Sequence, residues 1–381
     1  MPKGEFHGGP ALLRTALRET RIAAGCLPWR WAYASGLWRG SGAPVQFVVE
    51  KADWAIRWVG EHIRDEVDSL VPGTVQTTTR PGKAVDRVVH FGSQYMWLTW
   101  GGHMSRTNCF VVSFFHGKPE DGPDVARHID AFLASTPRLS KIVTASRIME
   151  RRLLDWGVPA EKLERIPIGV DTKTFMPPTS EQRRAAREKF GIADGVVVVG
   201  SFQKDGVGWG DGMEPKPIKG PDVFIAALSK MKASGVPVMA FLTGPARGYV
   251  KQGLQRLGIP FVHTYVQTHA DLTSCYHALD LYFVTSREEG GPMGLMEGMS
   301  SGVPVVSTRV GMAPDLIGHN VTGALADSED ADGIAIQAQL LLERKDLGSI
   351  RVRAREAVMA ADWSVVGRDH WLKVYQPLLR R

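Results

Sequence analysis

The stretch Ser286-Arg287-Glu288-Glu289-Gly290-Gly291-Pro292-Met293-Gly294-Leu295-Met296-Glu297 concentrates the residue types that could do chemistry in this chain of 381 residues. The apolar run Leu281 to Thr285 delivers the backbone to it as a buried strand. Pro292 suits the first helical position, and Gly302 suits the left-handed cap of a short helix ending near Ser301. A strand, a Gly-rich loop and a helix N-terminus in succession leave free N–H groups, and such a terminus attracts phosphate. Gly290 and Gly291 let a ligand approach the backbone with no Cβ in the way. Carboxylates here would be odd phosphate ligands but are good acceptors for sugar hydroxyls. Glu289 is therefore placed to grip a hexose, and Glu297, two turns along, to reach a ribose diol. The plainer alternative is a surface loop whose acids complement the helix dipole.

Elements of alternating type must carry this loop. Val45 to Glu50, Arg87 to Phe91, Phe110 to Phe115 and Lys141 to Ala145 read as strands, the last followed by a helix ending near Gly157. Arg165-Ile166-Pro167-Ile168-Gly169-Val170-Asp171 and the turn Met176-Pro177-Pro178 have the composition of a linker. The alternation restarts with a strand Val196 to Gly200, a helix Pro221 to Ala233, and strands at Val238 to Thr243, Leu281 to Thr285 and Pro304 to Ser307. Repeated strand–helix units imply parallel sheets covered on both faces, hence an α/β protein of two Rossmann-like, doubly wound domains. Ligands bind such sheets beyond the carboxyl ends of the strands.

The segment from Ser286 to Gly318 resembles the signature of glycosyltransferase family 4, retaining enzymes of the GT-B fold, in which two glutamates spaced as Glu289 and Glu297 bind the donor. Gly302-Val303-Pro304-Val305-Val306-Ser307-Thr308, Gly311-Met312-Ala313-Pro314-Asp315-Leu316-Ile317, the linker Ile166 to Phe175 and Asp362-Trp363-Ser364 fit the same pattern, although the family more often has Glu where Asp315 stands. The resemblance covers roughly residues 45–378. It implies two domains facing across a cleft, divided as a leader 1–44, an N-terminal acceptor domain 45–170, a C-terminal donor-nucleotide domain 171–360 and a returning helix 361–381. It also implies transfer of a hexose from a nucleoside-diphosphate sugar to a hydroxyl with retention, the diphosphate helping to remove the acceptor proton and domain closure excluding water.

In the family an Arg follows the first strand of the C-terminal domain and a Lys-Gly comes soon after, both neutralising the diphosphate. Here Ser201 stands where Arg is expected, while Lys219-Gly220 matches the second element after an insertion carrying Gly206, Gly208, Gly210 and Gly212, read as a flexible loop. Lys204 is proposed to replace the missing Arg as a point charge, and Arg247 is a third positive candidate. His116, after the strand Phe110 to Phe115, matches a histidine that faces the donor sugar and can donate to a hydroxyl while neutral. The expected catalytic residues are thus Glu289 and His116, and the donor-binding set is Lys219, Lys204, Gly290, Gly291, Met293, Glu297 and Arg247. The family's Gly-Gly loop near the N-terminus is missing, Lys51-Ala52-Asp53-Trp54 standing instead. Asp330-Ala331-Asp332 reads as a helix N-cap, so no metal and no cofactor beyond the sugar nucleotide are expected.

Composition narrows the setting. Cys26, Cys109 and Cys275 are too few and scattered for a disulfide framework or a zinc site, which fits a reducing compartment. No apolar run reaches the roughly 18 residues of a membrane span, and no signal peptide is evident, so a cytoplasmic protein is expected. Residues 1–44 hold six Lys/Arg against two Glu, with Arg14, Arg18 and Arg21 at helical spacing and Trp29, Trp31 and Trp38 close behind. That mixture suits an anionic membrane surface, which would bring the protein to the inner face of the membrane and to a saccharide or lipid-linked saccharide acceptor. It would also suit nucleic acid, although no nucleic-acid partner is expected. The plainer reading is a poorly ordered leader, or an arm packed on its own protein. The alternatives to a transferase are a catalytically inactive nucleotide-sugar-binding protein of the same fold and a nucleotide-sugar epimerase.

Overall fold

A computed structural model describes residues 8–40, 42–52 and 55–380, the first nine of these as backbone only. Asp53, Trp54 and the Arg14 side chain lie outside the described residues. The chain divides into two compact units: residues 1–144, 150–166 and 364–381 form the first, and 145–149 with 167–363 the second.

The first unit holds six parallel strands, β1 (Val45–Val48), β2 (Val75–Thr78), β3 (Val88–Phe91), β4 (Cys109–Ser113), β5 (Lys141–Thr144) and β6 (Leu163–Arg165), in the order β2-β1-β3-β4-β5-β6. β1 and β3 are buried at every position, as helices on both faces of a parallel sheet require. The second unit holds β7 (Val197–Ser201), β8 (Val238–Thr243), β9 (Phe261–Thr264), β10 (Leu281–Val284), β11 (Val305–Thr308) and β12 (Ala324–Ala326), again all parallel, in the order β12-β11-β10-β7-β8-β9. The chain leaves β7 toward one edge and returns to β10 on the other side of it. The switch point, where α/β sheets bind ligands, therefore lies between β7 and β10. Phe224 and Leu228 of the Pro221–Ala233 helix and Ile334 and Ala338 of the Ala331–Leu342 helix join Val199, Leu242, Leu281 and Phe283 in one buried core.

Residues 364–381 are held in the first unit by a buried polar network. His90 on β3 places Nδ1 2.8 Å from the Tyr375 hydroxyl and Nε2 3.0 Å from Ser113 Oγ. Burial, with the neighbouring His370 adding to it, holds the His90 pKa well below its ordinary value, so the ring is neutral. A neutral imidazole has one donor and one acceptor, and the two hydroxyls match them.

The N-terminal segment is a 27-residue helix, Gly8–Ala34. It packs on its own unit: Ile22 and Cys26 are buried, Lys83 stands over the Trp29 ring, and Arg30 donates to the His103 carbonyl. Of the sequence readings for residues 1–44, the arm packed on its own protein describes Trp29. Leu27, Trp31 and Leu37 are exposed. No helix among the described residues is long and apolar enough to cross a membrane.

Tyr375→Phe would leave a His90 ring nitrogen buried and unpaired, at a cost of about 1–3 kcal/mol. Chemical denaturation should show that loss, and unchanged stability would mean that the network contributes nothing.

Candidate functional site

The loops after β7 and β10 are tied together before either offers a side chain to a ligand. Arg287 N–H donates to the Ile218 carbonyl at 2.8 Å, and the Arg287 guanidinium donates to Pro217 O and to both carboxylate oxygens of Asp222. Hydrogen bonds from Arg287 to Asp222 and Glu329 outweigh desolvation and raise its pKa. Thr285 Oγ1 donates to Gly220 O at 2.9 Å, and Gly220 is left-handed (φ +60°), with Thr285 O filling the space a Cβ would need.

This clamp sets Lys219 against Glu289. Lys219 Nζ is 2.6 Å from Glu289 Oε1, which also accepts from Ser286 Oγ at 2.9 Å. Both side chains are partly buried, Glu289 more than Lys219. The two residues expected to hold opposite ends of one donor are thus direct neighbours. Gln203, past β7, donates to Lys219 O at 2.9 Å and accepts from Ser286 Oγ.

The helix after the loop is Met293–Ser300, starting one residue later than expected: Pro292, in extended backbone with ψ 105°, is the cap and not the first helical residue. Among the described residues no acceptor takes the Met293 or Gly294 N–H, as the first turn of a helix requires. Gly302 closes the helix with φ +68°, as expected. Gly291 needs a correction. A Cβ there would come within 2.8 Å of Met312 Sδ and 2.9 Å of Ile168 Cδ1, so the glycine makes room for its own chain and not for a ligand. The Gly290 carbonyl borders Gly311.

Glu297 is buried, and both its oxygens are engaged: Oε1 by His269 Nε2 at 2.8 Å, and Oε2 by the Tyr276 hydroxyl at 2.7 Å. Desolvation works against the charged form of His269, but the hydrogen bond and charge of Glu297 outweigh it, and the pKa is raised. Burial and the Glu297 charge push the Tyr276 phenol well up, so it stays a donor.

Two further expectations change. The insertion between Gln203 and Lys216 is not a free loop. Val207 N–H bonds Glu214 O, Lys216 N–H bonds Asp205 O, and the Gly248 and Tyr249 N–H groups bond Asp211 O and Gly212 O at the start of the Gly248–Arg256 helix. A Cβ on Gly206 or Gly212 would run into the Ala246 backbone, so these glycines permit close packing instead of motion. Arg247 is enclosed instead of presented to a phosphate. It is 1% exposed and donates to Ser201 O at 2.6 Å, Ser201 Oγ at 3.3 Å and Thr243 O at 3.1 Å. A guanidinium therefore does reach position 201, but from the loop after β8 and as a support. Its Nη2 is 3.0 Å from Asp205 Oδ2, off hydrogen-bond alignment, so both Asp205 oxygens lack a hydrogen bond. Burial raises the Asp205 pKa against the pull of Arg247 and depresses that of Arg247.

Lys204 is half-buried with Nζ 3.6 Å from the centre of the Trp209 ring. Lys216, which sequence reading missed, caps the Pro217–Lys219 turn. Burial and then the charges of Lys204 and Lys219 depress its pKa, so the three ammonium groups feel one another. The Lys-Pro-Ile-Lys-Gly run was the available signal for it. His269 and Tyr276 had none, lying 28 and 21 positions from Glu297. His116 is exposed on the loop past β4 in the first unit, and its carbonyl accepts from Gln94. Asp330 caps the Ala331–Leu342 helix through Gly333 N–H, as expected. Among the described residues no cluster of ligands could hold a metal, and all three cysteines are free.

The two sheets and their helices define a GT-B protein. The Anabaena protein HepE, solved in complex with UDP-glucose, superposes with a TM-score of 0.69 at 20% identity over 85% of this chain and 97% of that one. Sucrose-phosphate synthase from Thermosynechococcus elongatus gives 0.69 at 17% identity over 89% and 99%. Residues 214–357 match the family model of glycosyl transferases, group 1, in line with the family-4 resemblance of the same segment. The D-inositol 3-phosphate glycosyltransferase of Segniliparus rotundus is 30% identical over 45% of this chain and 37% of its own. The lipopolysaccharide core biosynthesis mannosyltransferase of Rhizobium meliloti is 28% identical over 46% and 49%. A GDP-mannose-dependent phosphatidylinositol monomannoside mannosyltransferase of Mycobacterium tuberculosis is 27% identical over 53% and 52%. The chain spans about half or less of the length of these curated relatives.

Arg247→Met would strand the Asp205 carboxyl and should cost about 3–5 kcal/mol, while adding Asp205→Leu should restore most of it. Equal losses in the single and double variants, measured by urea unfolding, would show that the pair is not the unit. The raised His269 pKa gives a pH signature. The pair adds stability below the ordinary histidine value near 6.5, and that contribution is lost as pH rises through the raised value. The stability gap between the parent and His269→Asn should therefore narrow from pH 6 upward, whereas a constant gap would refute the coupling.

Proposed function

We propose that this chain transfers a hexose from a nucleoside-diphosphate sugar to a hydroxyl acceptor with retention of configuration, in the assembly of a surface polysaccharide or glycoconjugate. The observation that carries the reading is Lys219 against Glu289 at the β7/β10 switch point, beside the open amides of the Met293–Ser300 helix. Lys219, joined by Lys216 and Lys204, stabilises the diphosphate as it leaves, with the helix terminus adding its dipole. Glu289 accepts from hydroxyls of the hexose. Glu297, preset by His269 and Tyr276, accepts from the ribose, and His116 donates to the sugar while neutral. No metal takes part, and transfer should persist in excess chelator.

The names of the relatives support a saccharide or lipid-linked saccharide acceptor; to this the reading adds a cytoplasmic setting at the inner face of the membrane and no nucleic-acid partner. Exposed Leu27, Trp31 and Leu37 supply a peripheral membrane contact beside the arginines of the Gly8–Ala34 helix. A second reading, an inactive sugar-nucleotide-binding protein, is favoured by one observation: Ser201 replaces the expected Arg, and the guanidinium that reaches it is enclosed.

The test is a donor panel including GDP-mannose and UDP-glucose, scored for thermal protection and slow donor hydrolysis, with Glu289→Ala and Lys216→Gln alongside. One sugar nucleotide should protect and be hydrolysed by the parent. Glu289→Ala should lose hydrolysis at least a hundredfold, about 2.7 kcal/mol of barrier, and Lys216→Gln should weaken protection. Protection with no hydrolysis and no transfer to any acceptor supports the binding protein. No protection by any nucleotide refutes both.

A further inference from the structure

The second unit has a cavity of about 430 Å³ away from the loops described above. It opens between the Pro177-Pro178 turn and the Leu347–Val358 helix, and its floor is Ser301-Gly302-Val303. Val303 precedes β11, and Asp280, which fixes the arginine on one wall, precedes β10. The cavity therefore sits at the amino ends of these strands, the opposite end of the sheet from Glu289. Its volume lies within the roughly 300–1,000 Å³ of small-molecule pockets.

Three arginines line it, and they differ. Arg183 is committed to Asp280 and to the carbonyls of His277 and Leu279. Arg355 is committed to the carbonyls of Thr172, Phe175 and Ser300. Arg351 is half-buried and has no hydrogen-bond or ion-pair partner among the described residues; its Nε is sealed from solvent without an acceptor. Burial and the nearby Arg183 both depress its pKa, with Asp280 opposing them. The one acid on the rim is Glu356, which is exposed. Ser301 Oγ, in the floor, is also buried without a partner. The first amides of the Ser180–Lys189 helix, capped by Thr179, border the same space. Pro177, Leu279, Val303 and Val352 supply apolar wall. A partly desolvated cation with no hydrogen-bond or ion-pair partner among the described residues, in a concave site next to a helix start, calls for an anion.

We propose that this cavity binds a small phosphorylated metabolite, its phosphate on Arg351 and its organic part on the proline and valine wall, as an effector site separate from the donor site. A connection to the donor site is present. Tyr276 forms part of the cavity wall, and its hydroxyl donates to Glu297. Ser300 and Ser301 continue the helix that carries Glu297. Occupancy therefore alters how the Glu297 carboxylate is held, a consequence that rests on the donor reading above, whereas binding in the cavity does not.

The test titrates inorganic phosphate at constant ionic strength against the parent, Arg351→Gln, Val352→Trp and Lys219→Gln, reading the unfolding temperature. Phosphate should protect the parent and Lys219→Gln, and should fail to protect Arg351→Gln and Val352→Trp, the latter filling the mouth from an exposed position. Arg351 has no partner to lose, so its variant should fold; should it not, Val352→Trp decides. Protection that survives both cavity variants, or that disappears with Lys219→Gln, overturns the proposal. A second arm measures sugar-nucleotide affinity with and without phosphate in Lys216-intact protein, where about a fivefold change is expected in the parent and none in Arg351→Gln. Phosphate protection without that change keeps the site and overturns the coupling. Phosphate protection with no nucleotide binding at all leaves the site standing and sinks the donor reading alone.

Discussion

The clamp between the loops after β7 and β10 is the constraint on which the candidate site depends. Two loops that leave adjacent strands diverge unless something closes the gap, and here main-chain contacts close it. Arg287 N–H on Ile218 O and Thr285 Oγ1 on Gly220 O hold the backbones, while the Arg287 fork grips Asp222 from the side. Asp222 is about half exposed, so the ion pair is screened and weak as a source of stability. Its worth is geometric. It fixes where Lys219 begins, and a lysine has too many rotatable bonds to find Glu289 repeatedly from a loose loop.

Beneath the clamp the insertion substitutes one solution for another. Ser201 leaves space at the carboxyl end of β7, and Arg247 fills it from the loop after β8. An enclosed guanidinium needs a counter-charge, and Asp205 supplies one imperfectly, at ion-pair distance but without aligned hydrogen bonds. That arrangement is expensive to bury, and it is held by the surrounding backbone. Glycines at 206 and 212 let the insertion lie against Ala246, which brings Asp205 over Arg247 and Lys216 beside Lys219. The cation expected at one position is thus replaced by a buried support and a cluster of ammonium groups.

What the sequence disclosed follows burial. Every interior strand of the two sheets was legible as an apolar run, and α/β class, linker and the Glu289–Glu297 loop followed. The four strands that escaped, β2, β6, β9 and β12, are the two edges of each sheet. Edges need less apolar surface: Val75–Thr78 carries Gln and two Thr, and Leu163–Arg165 carries Glu and Arg. The glycine-rich insertion was misread because glycine permits both freedom and close packing, and only the neighbouring Ala246 backbone tells which. Arg247 was misread for a similar reason. A sequence shows a positive charge after a strand, but not that Asp205, 42 positions earlier, encloses it. His269 and Tyr276 reach Glu297 from a separate helix and turn, and no local pattern announces such a meeting.

The Lys219–Glu289 pair also bears on what kind of site this is. An anion site built for permanent occupancy would keep carboxylates away, since a like charge beside a phosphate is repulsive. Here the carboxylate shares the ammonium that a diphosphate would need, and Ser286 Oγ gives Glu289 a second donor that does not depend on the lysine. Under the proposed function the cation is shared between a carboxylate that stays and a diphosphate that comes and goes. A site that must hold its anion more strongly while the anion is leaving gains from such sharing, because interactions stronger in the transition state than in the ground state are the ones that raise the rate. On that proposed reading the same sharing weakens resting affinity for the donor, which a protein serving only to bind would have no reason to retain.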